Sequence, residues 1–167
     1  MTDSSKDSCR ACSIEGDGSF CQVDVSWDRN TGCEAHVRDL PPFAVDMPVQ
    51  HGGAGKNPCP HELLYSAVGS CFVGTFLVFQ RQLQLKLVDL RVSTEGRVEQ
   101  AKTGKNLGKY DITAINLHVM VAVEGSENEK DIVEDCIRIT KEHCPTTRAL
   151  QASVPIEITS EIKIISG

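Results

Sequence analysis

The chain has 167 residues and a mass of 18.2 kDa, the size of one ordinary domain, so a second full domain is not expected. Hydrophobic residues make up 40% and charged residues 24%, which excludes a chain that is disordered throughout. The formal net charge is -6 and neither sign forms a long block, which argues against a nucleic-acid partner.

No membrane partner or export is expected from the apolar pattern. The longest strongly apolar stretch, residues 67–79, is shorter than the roughly 20 residues that span a bilayer and predicts a buried helix. The first residues, MTDSSKDSCRAC, are polar and acidic where a secretory signal needs a basic start and an apolar run. We therefore expect a cytoplasmic protein.

The first third of the chain predicts an arm followed by a small sheet. Residues 1–18 are polar and aperiodic, which predicts a flexible N-terminal arm before a single domain over residues 19–167. Alternating apolar residues over 21–27 and 33–37 predict two half-buried strands, joined by a turn at DRNTG. A short third strand over 43–47 completes an antiparallel meander.

A long apolar helix follows. The Gly- and Pro-rich loop 51–60 leads directly into HELLYSAVGSCFVGTFLVFQRQ, residues 61–82, which has helical length and is apolar all round. A helix of this kind is buried on every side. One small sheet covers only one of those sides, so the other is expected to pack on a second subunit or a second helix.

The remaining pattern predicts a hairpin, a helix and a strand. Alternation over 90–98 and over 115–123 predicts a long hairpin. Ser126, with Glu129 three residues later, predicts a capped helix that ends near Cys144, because Pro145 disfavours the helical conformation before it. A last alternating run over 154–164 predicts a strand. The order βββ-α-ββ-α-β favours an α+β fold with helices on one face of antiparallel sheets.

Two cysteines lie where chemistry is expected. Cys71 lies in the middle of the apolar helix within GSCFVG, where small neighbours leave room for a substrate or another backbone. If PTTRAL forms a short helix with Pro145 at its first position, Cys144 occupies the N-cap, where unpaired amides favour a thiolate. The alternative for either residue is a buried structural thiol.

The chain carries eight cysteines, which in a chain without an export signal favours catalytic, redox or metal roles over a disulfide framework. Cys9 and Cys12 form CRAC, which suits a redox pair or, together with Cys21 and Cys33, a zinc site. A second closely spaced pair is missing from the sequence, so the zinc site is the weaker of these alternatives.

Four further residues have alternative roles. Cys59 is either an extra resolving thiol or a loop residue without a role, and Cys136 is expected to pack in the core because it lies on the apolar stripe of its helix. His118 and His143 are candidates for metal ligands or, more often for isolated histidines, for hydrogen-bonded structural side chains.

Two segments resemble the signatures of the OsmC/Ohr family. VDMPVQHGGAGKNPCPHELLYSAVGSC, residues 45–71, resembles the central one: a Gly-rich loop, a Pro-x-(Glu/Asp)-Leu-Leu helix start and a helical Cys behind small residues. EHCPTTRAL, residues 142–150, resembles the second, a Cys-Pro near the end of the second helix. The resemblance extends over roughly residues 20–165.

The resemblance implies an OsmC-like fold, with antiparallel sheets wrapped around a long central buried helix in an intertwined homodimer. It also implies a thiol peroxidase of oxidative-stress defence that reduces organic hydroperoxides to alcohols. Cys71 would form a sulfenic acid, and Cys144 would resolve it to a disulfide. The reductant would be a dithiol, either a lipoyl protein or a small thiol, and no metal, haem or flavin is implied.

In the peroxidase branch of the family, a carboxylate at the helix entrance holds an Arg against the reactive thiolate. Counting back from Cys71 puts His61 at the position of that carboxylate and Glu62 one residue later. On a continuous helix Glu62 would point about 180° away from Cys71. Arg29 lies near the family's Arg, with Arg38 as the alternative, so the candidate supporting residues are Glu62 and Arg29.

A different class of function fits the same signatures. In this alternative the chain is a non-catalytic OsmC-like dimer that holds a small apolar ligand in the interface pocket, and the cysteines serve packing or redox sensing. The shifted carboxylate and the unplaced Arg favour it.

Overall fold

The computed structural model describes residues 12–15 and 18–166, with side chains over 21–105 and 107–166. The rest of the predicted arm, residues 1–11 and 16–17, lies outside the described residues. The chain divides into two compact units, Met1–Leu63 and Leu64–Gly167. The long helix α1 (Pro60–Gln82) begins at the end of the first unit and lies mostly in the second.

The first unit contains two small antiparallel sheets. Strands β1 (Cys12–Glu15) and β2 (Gly18–Cys21) form a hairpin where the sequence predicts only an arm. Strand pairing uses backbone groups, which every residue except Pro carries in full, so it does not require an apolar pattern. The predicted antiparallel meander is confirmed, with the order β3 (Asp24–Trp27), β4 (Cys33–His36) and β5 (Phe43–Val45).

The predicted turn between β3 and β4 is confirmed and is organised by Asp28. Its carboxylate accepts the backbone N–H groups of Asn30 at 2.7 Å and Gly32 at 3.2 Å. Arg29 lies exposed in this turn with a φ of 65°, in the left-handed region. The carboxylate of Asp28 therefore fixes the backbone on both sides of Arg29.

The second unit is built on a three-stranded sheet in the order β6-β7-β8, which contains the predicted long hairpin. Its strands are β6 (Lys86–Gln100), β7 (Tyr110–Glu124) and β8 (Ile156–Ile165). The central strand β7 buries alternate side chains, from Ile115 to Val123, as expected for a strand with one face on the core. Its other face carries Asn116, His118 and Glu124 together with Met120 and Ala122.

The prediction of purely antiparallel sheets is wrong for one pair, because β8 runs parallel to β7. Two parallel neighbours need a long crossover connection, whereas antiparallel neighbours do not. Residues 125–155 supply that crossover with two helices, α2 (Glu129–His143) and α3 (Pro145–Leu150). Alternation in the sequence identifies a strand but carries no information on its direction.

The start of α2 differs from the prediction. The helix begins at Glu129 with Asn128 at its N-cap, and Ser126 lies outside it. The predicted pair nevertheless forms, because the Glu129 carboxylate accepts the backbone N–H of Ser126 at 2.7 Å and its hydroxyl at 2.8 Å. These bonds close the turn that leads into the helix and lower the pKa of Glu129.

Helix α1 contacts the core of the second unit through one face. Val68, Phe72 and Phe76 follow one another at intervals of four residues and are completely buried. Val78, on another face, is 44% exposed, so burial on every side is not achieved within this chain. The stretch 67–79 is too short for a membrane span, but the whole helix of 23 residues has the length and composition of one. The buried face of α1 is nevertheless that of a core helix.

Candidate functional site

Cys71 lies half-buried on α1, two residues after Gly69, which approaches the Thr94 side chain of β6. A Cβ atom at Gly69 would lie 2.7 Å from the hydroxyl oxygen of Thr94, so the approach of this side chain of β6 requires a glycine at position 69. In the described part of the chain, a Cβ atom at Gly74 would meet no atom within 4 Å. Of the two glycines, Gly69 accommodates the side chain of Thr94 and Gly74 lies beside open space.

Cys144 joins α2 to α3 and occupies the N-cap of α3, as predicted, with Pro145 at the first helical position. Its backbone is extended, with a φ of -65° and a ψ of 116°, which is the conformation favoured before a proline. Its N–H donates to the carbonyl of Thr140 at 2.8 Å, and the side chain is completely buried. The junction therefore holds the thiol in one place.

The two predicted cysteines lie close together in the second unit. The thiol of Cys71, from α1, is near enough to the thiol of Cys144, from the junction of α2 and α3, to help lower the pKa of Cys144. Cys144 belongs to the buried core cluster and Cys71 packs against that cluster. The fold therefore brings together two thiols that are 73 positions apart in sequence.

The surroundings of Cys144 favour its thiolate. Burial raises the pKa of this thiol, but the neighbouring Thr146, Thr147 and Cys71 together outweigh burial, so the pKa lies below its ordinary value. The hydroxyl oxygen of Thr146 lies 3.4 Å from the sulfur, and Thr147 contributes both its hydroxyl and its backbone N–H. A stabilised thiolate is the nucleophilic form of cysteine.

Cys136 confirms the prediction of a packing residue. It is completely buried, and its sulfur lies 3.9 Å from the carbonyl oxygen of Phe76. Burial raises the pKa of this thiol to about 11, although Thr140 opposes the rise. A thiol that is buried and protonated at neutral pH does not act as a nucleophile.

The first unit contains three described cysteine side chains. Cys33 and Cys59 are half-buried free thiols of the first unit. Cys21 is disulfide-bonded, which removes it as a thiolate ligand for zinc. The predictions for Cys9 and for the side chain of Cys12 fall outside the described residues.

Glu62 lies in the first turn of α1, where its carboxylate accepts the backbone N–H of Cys59 at 2.7 Å. Because α1 is helical from Pro60, the nine positions from Glu62 to Cys71 correspond to about 180° of rotation and about 13 Å along the axis. Within one chain, this carboxylate points away from the Cys71 side of the helix. Arg29 lies exposed in the β3–β4 turn.

Asp46 is a buried carboxylate that sequence reasoning did not single out. It accepts backbone N–H groups of Met47 at 2.8 Å, Ala54 at 3.1 Å and Lys56 at 3.2 Å, and the hydroxyl of Thr31 at 3.2 Å. These bonds, that from Lys56 first, lower its pKa against the opposing effect of burial. Asp46 therefore fastens the Gly-rich loop before α1, and its place inside the central signature was the available signal.

The two histidines have structural contacts. The Nδ1 atom of His118 lies 3.0 Å from the Thr159 hydroxyl, and Nε2 lies 3.9 Å from a carboxylate oxygen of Glu161, on the polar face of the sheet. The ring of His143 packs against Phe79 with centroids 5.2 Å apart. Among the described side chains, no three His, Cys, Asp or Glu residues are grouped so as to hold a metal ion.

Comparison with known proteins identifies the family. The OsmC-like protein family matches residues 53–159, more than half of the chain, including α1 and both cysteines of the site. The chain belongs to this family, and its fold is the α+β OsmC-like fold. It is similar to YmaD of Bacillus subtilis, with 21% identity over 121 residues that cover 72% of this chain and 79% of that protein.

Solved structures share the fold at low identity. An OsmC-like protein from Mycoplasma pneumoniae superposes with a TM-score of 0.70 and 18% identity, covering 85% of this chain and 96% of the other. An organic hydroperoxide resistance protein from Elizabethkingia anophelis gives a TM-score of 0.67 and 19% identity, covering 84% and 94%. The organic hydroperoxide resistance protein OhrB of Bacillus subtilis gives 0.62 and 15%, covering 84% and 96%.

Proposed function

We propose that this protein is a cysteine-based peroxidase that reduces organic hydroperoxides to alcohols in oxidative-stress defence in the cytoplasm. The observation that carries the proposal is that Cys71 packs against the buried core cluster to which Cys144 belongs, near enough for its thiol to act on that of Cys144. Cys71 is the more accessible of the two, and Cys144 is buried with a pKa lowered by its neighbours despite that burial. Membership of the OsmC-like family adds support.

The reaction proceeds in two steps on these sulfurs. The thiolate of Cys71 attacks the terminal oxygen of the hydroperoxide, the O–O bond breaks, and the alcohol leaves after it takes up a proton. Cys71 then carries a sulfenic acid. The thiolate of Cys144 attacks that sulfur, hydroxide leaves and is protonated to water, and a Cys71–Cys144 disulfide forms. A dithiol, either a lipoyl protein or a small thiol, returns the pair to the reduced state.

Glu62 and Arg29 are proposed to support the reactive thiolate from the second subunit of a dimer. A helical start at Pro60 directs Glu62 away from the Cys71 side of its own helix, which leaves action across the interface. The bond from Cys59 uses one carboxylate oxygen of Glu62, so the other oxygen is available for a guanidinium group.

An intertwined homodimer of the single OsmC-like domain, residues 19–167, is part of the proposal. Ala67, Ser70, Gly74 and Val78 form an exposed stripe along α1, and this stripe lies beside Cys71. Its small side chains allow a second copy of the same helix to approach closely. In the first unit, Trp27 of β3 is 70% exposed, which is unusual for so large an apolar side chain.

The second candidate function is a non-catalytic OsmC-like dimer that binds a small apolar ligand or senses redox state. The observation that favours it is the bond between Glu62 and the backbone N–H of Cys59, which gives this carboxylate a structural role at the start of α1. The two candidates differ in what happens to the thiols when a hydroperoxide is added.

The deciding experiment uses the full-length reduced protein and one equivalent of cumene hydroperoxide, followed by acid quenching and peptide mass mapping. We expect a Cys71–Cys144 disulfide within seconds. Cys71→Ser abolishes hydroperoxide consumption, Cys144→Ser stops at a sulfenic acid that dimedone traps on Cys71, and Cys33→Ser, the matched half-buried control, reacts like the unaltered protein. Slow oxidation scattered over the cysteines, or full activity of Cys71→Ser, supports the non-catalytic candidate instead.

A further inference from the structure

Building on the proposed function, we propose that the dithiol reductant attacks the sulfur of Cys71, and that Cys144 leaves as a thiolate held by Thr146 and Thr147. This assignment states which sulfur of the disulfide is attacked and which one leaves. Either sulfur of a disulfide can be attacked, and the choice depends on access and on which thiolate is the better leaving group. In this site, both criteria favour attack at Cys71 and departure of Cys144.

Access favours Cys71. The side chain of Cys144 is completely buried at the α2–α3 junction, whereas that of Cys71 is half-buried on α1. An attacking thiolate must approach along the line of the S–S bond, so a sulfur enclosed by the core is protected from it. The same difference directs the hydroperoxide to Cys71 in the first half of the cycle.

The environment of Cys144 stabilises a leaving thiolate. The Thr146 hydroxyl lies 3.4 Å from its sulfur, and the hydroxyl and N–H of Thr147 also act on the thiol. Thr147 is itself completely buried, and its hydroxyl has no hydrogen-bond partner among the described residues. A buried hydroxyl without such a partner is costly unless another acceptor is present. The thiolate of Cys144 is that acceptor.

The step balances without a further reactant. A thiolate of the reductant forms a bond to the Cys71 sulfur, the S–S bond breaks, and its electron pair stays on Cys144. The second thiol of the dithiol, once deprotonated, attacks the reductant sulfur now bound to Cys71. Cys71 is released as a thiolate, and the dithiol leaves as its own disulfide. Two electrons have passed to the protein, and Cys144 is again the resolving nucleophile.

The direction is tested with a disulfide made without peroxide. The full-length protein is oxidised with diamide, the Cys71–Cys144 disulfide is verified by mass mapping, and glutathione is added before acid quenching. We expect the glutathione adduct on Cys71, and an adduct on Cys144 overturns the inference. If diamide gives this disulfide and cumene hydroperoxide does not, the peroxidase proposal fails separately; if diamide gives none, the inference fails as well.

The role of the threonines is tested by the rate of reduction with dithiothreitol. Thr147→Val and the half-buried Thr146→Val are expected to slow reduction by about threefold for each pKa unit that Cys144 gains. Thr147→Ser keeps the hydroxyl and restores the rate. Thr140→Val is the matched control, because Thr140 is also completely buried but donates to the carbonyl of Cys136.

The pH dependence of Cys144 alkylation distinguishes stabilisation of the thiolate by the threonines from a purely structural role. The groups acting on this thiol are Cys71 from α1 and Thr146 and Thr147 from α3. In a Cys71→Ser background, Thr147→Val or Thr146→Val raises the alkylation midpoint of Cys144 and Thr140→Val leaves it unchanged. If both valine variants keep the midpoint and the reduction rate, the threonines have no part in the step.

Discussion

The carboxylate of Asp46 accepts the backbone N–H of Lys56 at 3.2 Å, although the two residues are ten positions apart. The N–H of Asp46 in turn donates to the carbonyl of Pro58 at 3.1 Å. One residue after β5 thus holds both the middle and the end of the Gly-rich loop. The loop ends at Pro60, where α1 begins, so this bond network sets the entrance of the helix that carries Cys71.

Asp46→Asn is expected to loosen this loop and lower the melting temperature by on the order of 3 °C at neutral pH. An amide supplies one acceptor oxygen where the carboxylate supplies two, and its NH₂ group faces N–H donors. The measurement is thermal unfolding followed by circular dichroism. Asp39→Asn, at an exposed position, is the control and is expected to melt like the unaltered protein.

The contribution of Asp46 depends on pH in a defined direction. Its pKa in the folded protein lies below the ordinary value of 3.8, so the stabilisation is complete above about pH 4 and is lost as the pH falls through the folded value. The difference in melting temperature between the unaltered protein and Asp46→Asn is therefore expected to shrink on acidification below pH 4. A difference that grows instead contradicts the assignment.

Gly69→Ala is expected to destabilise the second unit by about 1–3 kcal/mol, because the added methyl group meets the hydroxyl of Thr94. Combination with Thr94→Ala should restore most of the loss, since it removes that hydroxyl. Combination with Thr94→Ser keeps the oxygen and should not. Urea unfolding of the single and double variants measures the coupling, and strictly additive effects exclude the contact as the cause.

Val78→Asp is expected to convert the proposed dimer to a monomer of 18.2 kDa, because it places a charge on the exposed stripe of α1. Leu107→Asp is the matched control: Leu107 is 67% exposed in the turn between β6 and β7, away from that stripe. Size-exclusion chromatography with light scattering gives both masses. A Val78→Asp protein that keeps the mass of the unaltered protein removes the stripe from the interface.

The free thiols are expected to differ widely in their rates of alkylation. Cys136, completely buried and with its pKa raised to about 11, should react last with iodoacetamide at neutral pH. Cys33 and Cys59 are half-buried and should react earlier. Isotope-coded alkylation with peptide mass spectrometry orders them, and modification of Cys136 before Cys33 would contradict the packing described for α2.

Much of the fold was predictable because its elements have strong local patterns. The long apolar run gave α1 to within one residue of its start, and alternation gave the β6–β7 hairpin. The N-cap position of Cys144 followed from Pro145. Three features could not be predicted: the β1–β2 hairpin, the parallel direction of β8 and the later start of α2. They depend on backbone pairing and tertiary packing, which residue types alone do not predict.

The site was predictable only in part. The two cysteines followed from their signatures, but the contacts of Thr146 and Thr147 with Cys144 depend on the turn that Pro145 imposes, and sequence spacing does not give side-chain directions. Asp46 was missed because a single polar residue beside a strand resembles a surface residue until the loop folds back over it. Glu62 lies in the first turn of α1, and its bond to Cys59 could be found only from the coordinates.

The parallel pairing of β8 with β7 fixes the order in which the sheet is completed as the chain leaves the ribosome. Strands β6 and β7 are neighbours in sequence and can pair as soon as residue 124 has emerged, whereas β8 must wait for residues 125–155. During that interval, the free edge of β7 presents unpaired backbone groups from Ile115 to Glu124, which can template aggregation. The most buried strand of the finished sheet is thus an open edge during synthesis, and a chain truncated before β8 keeps it open.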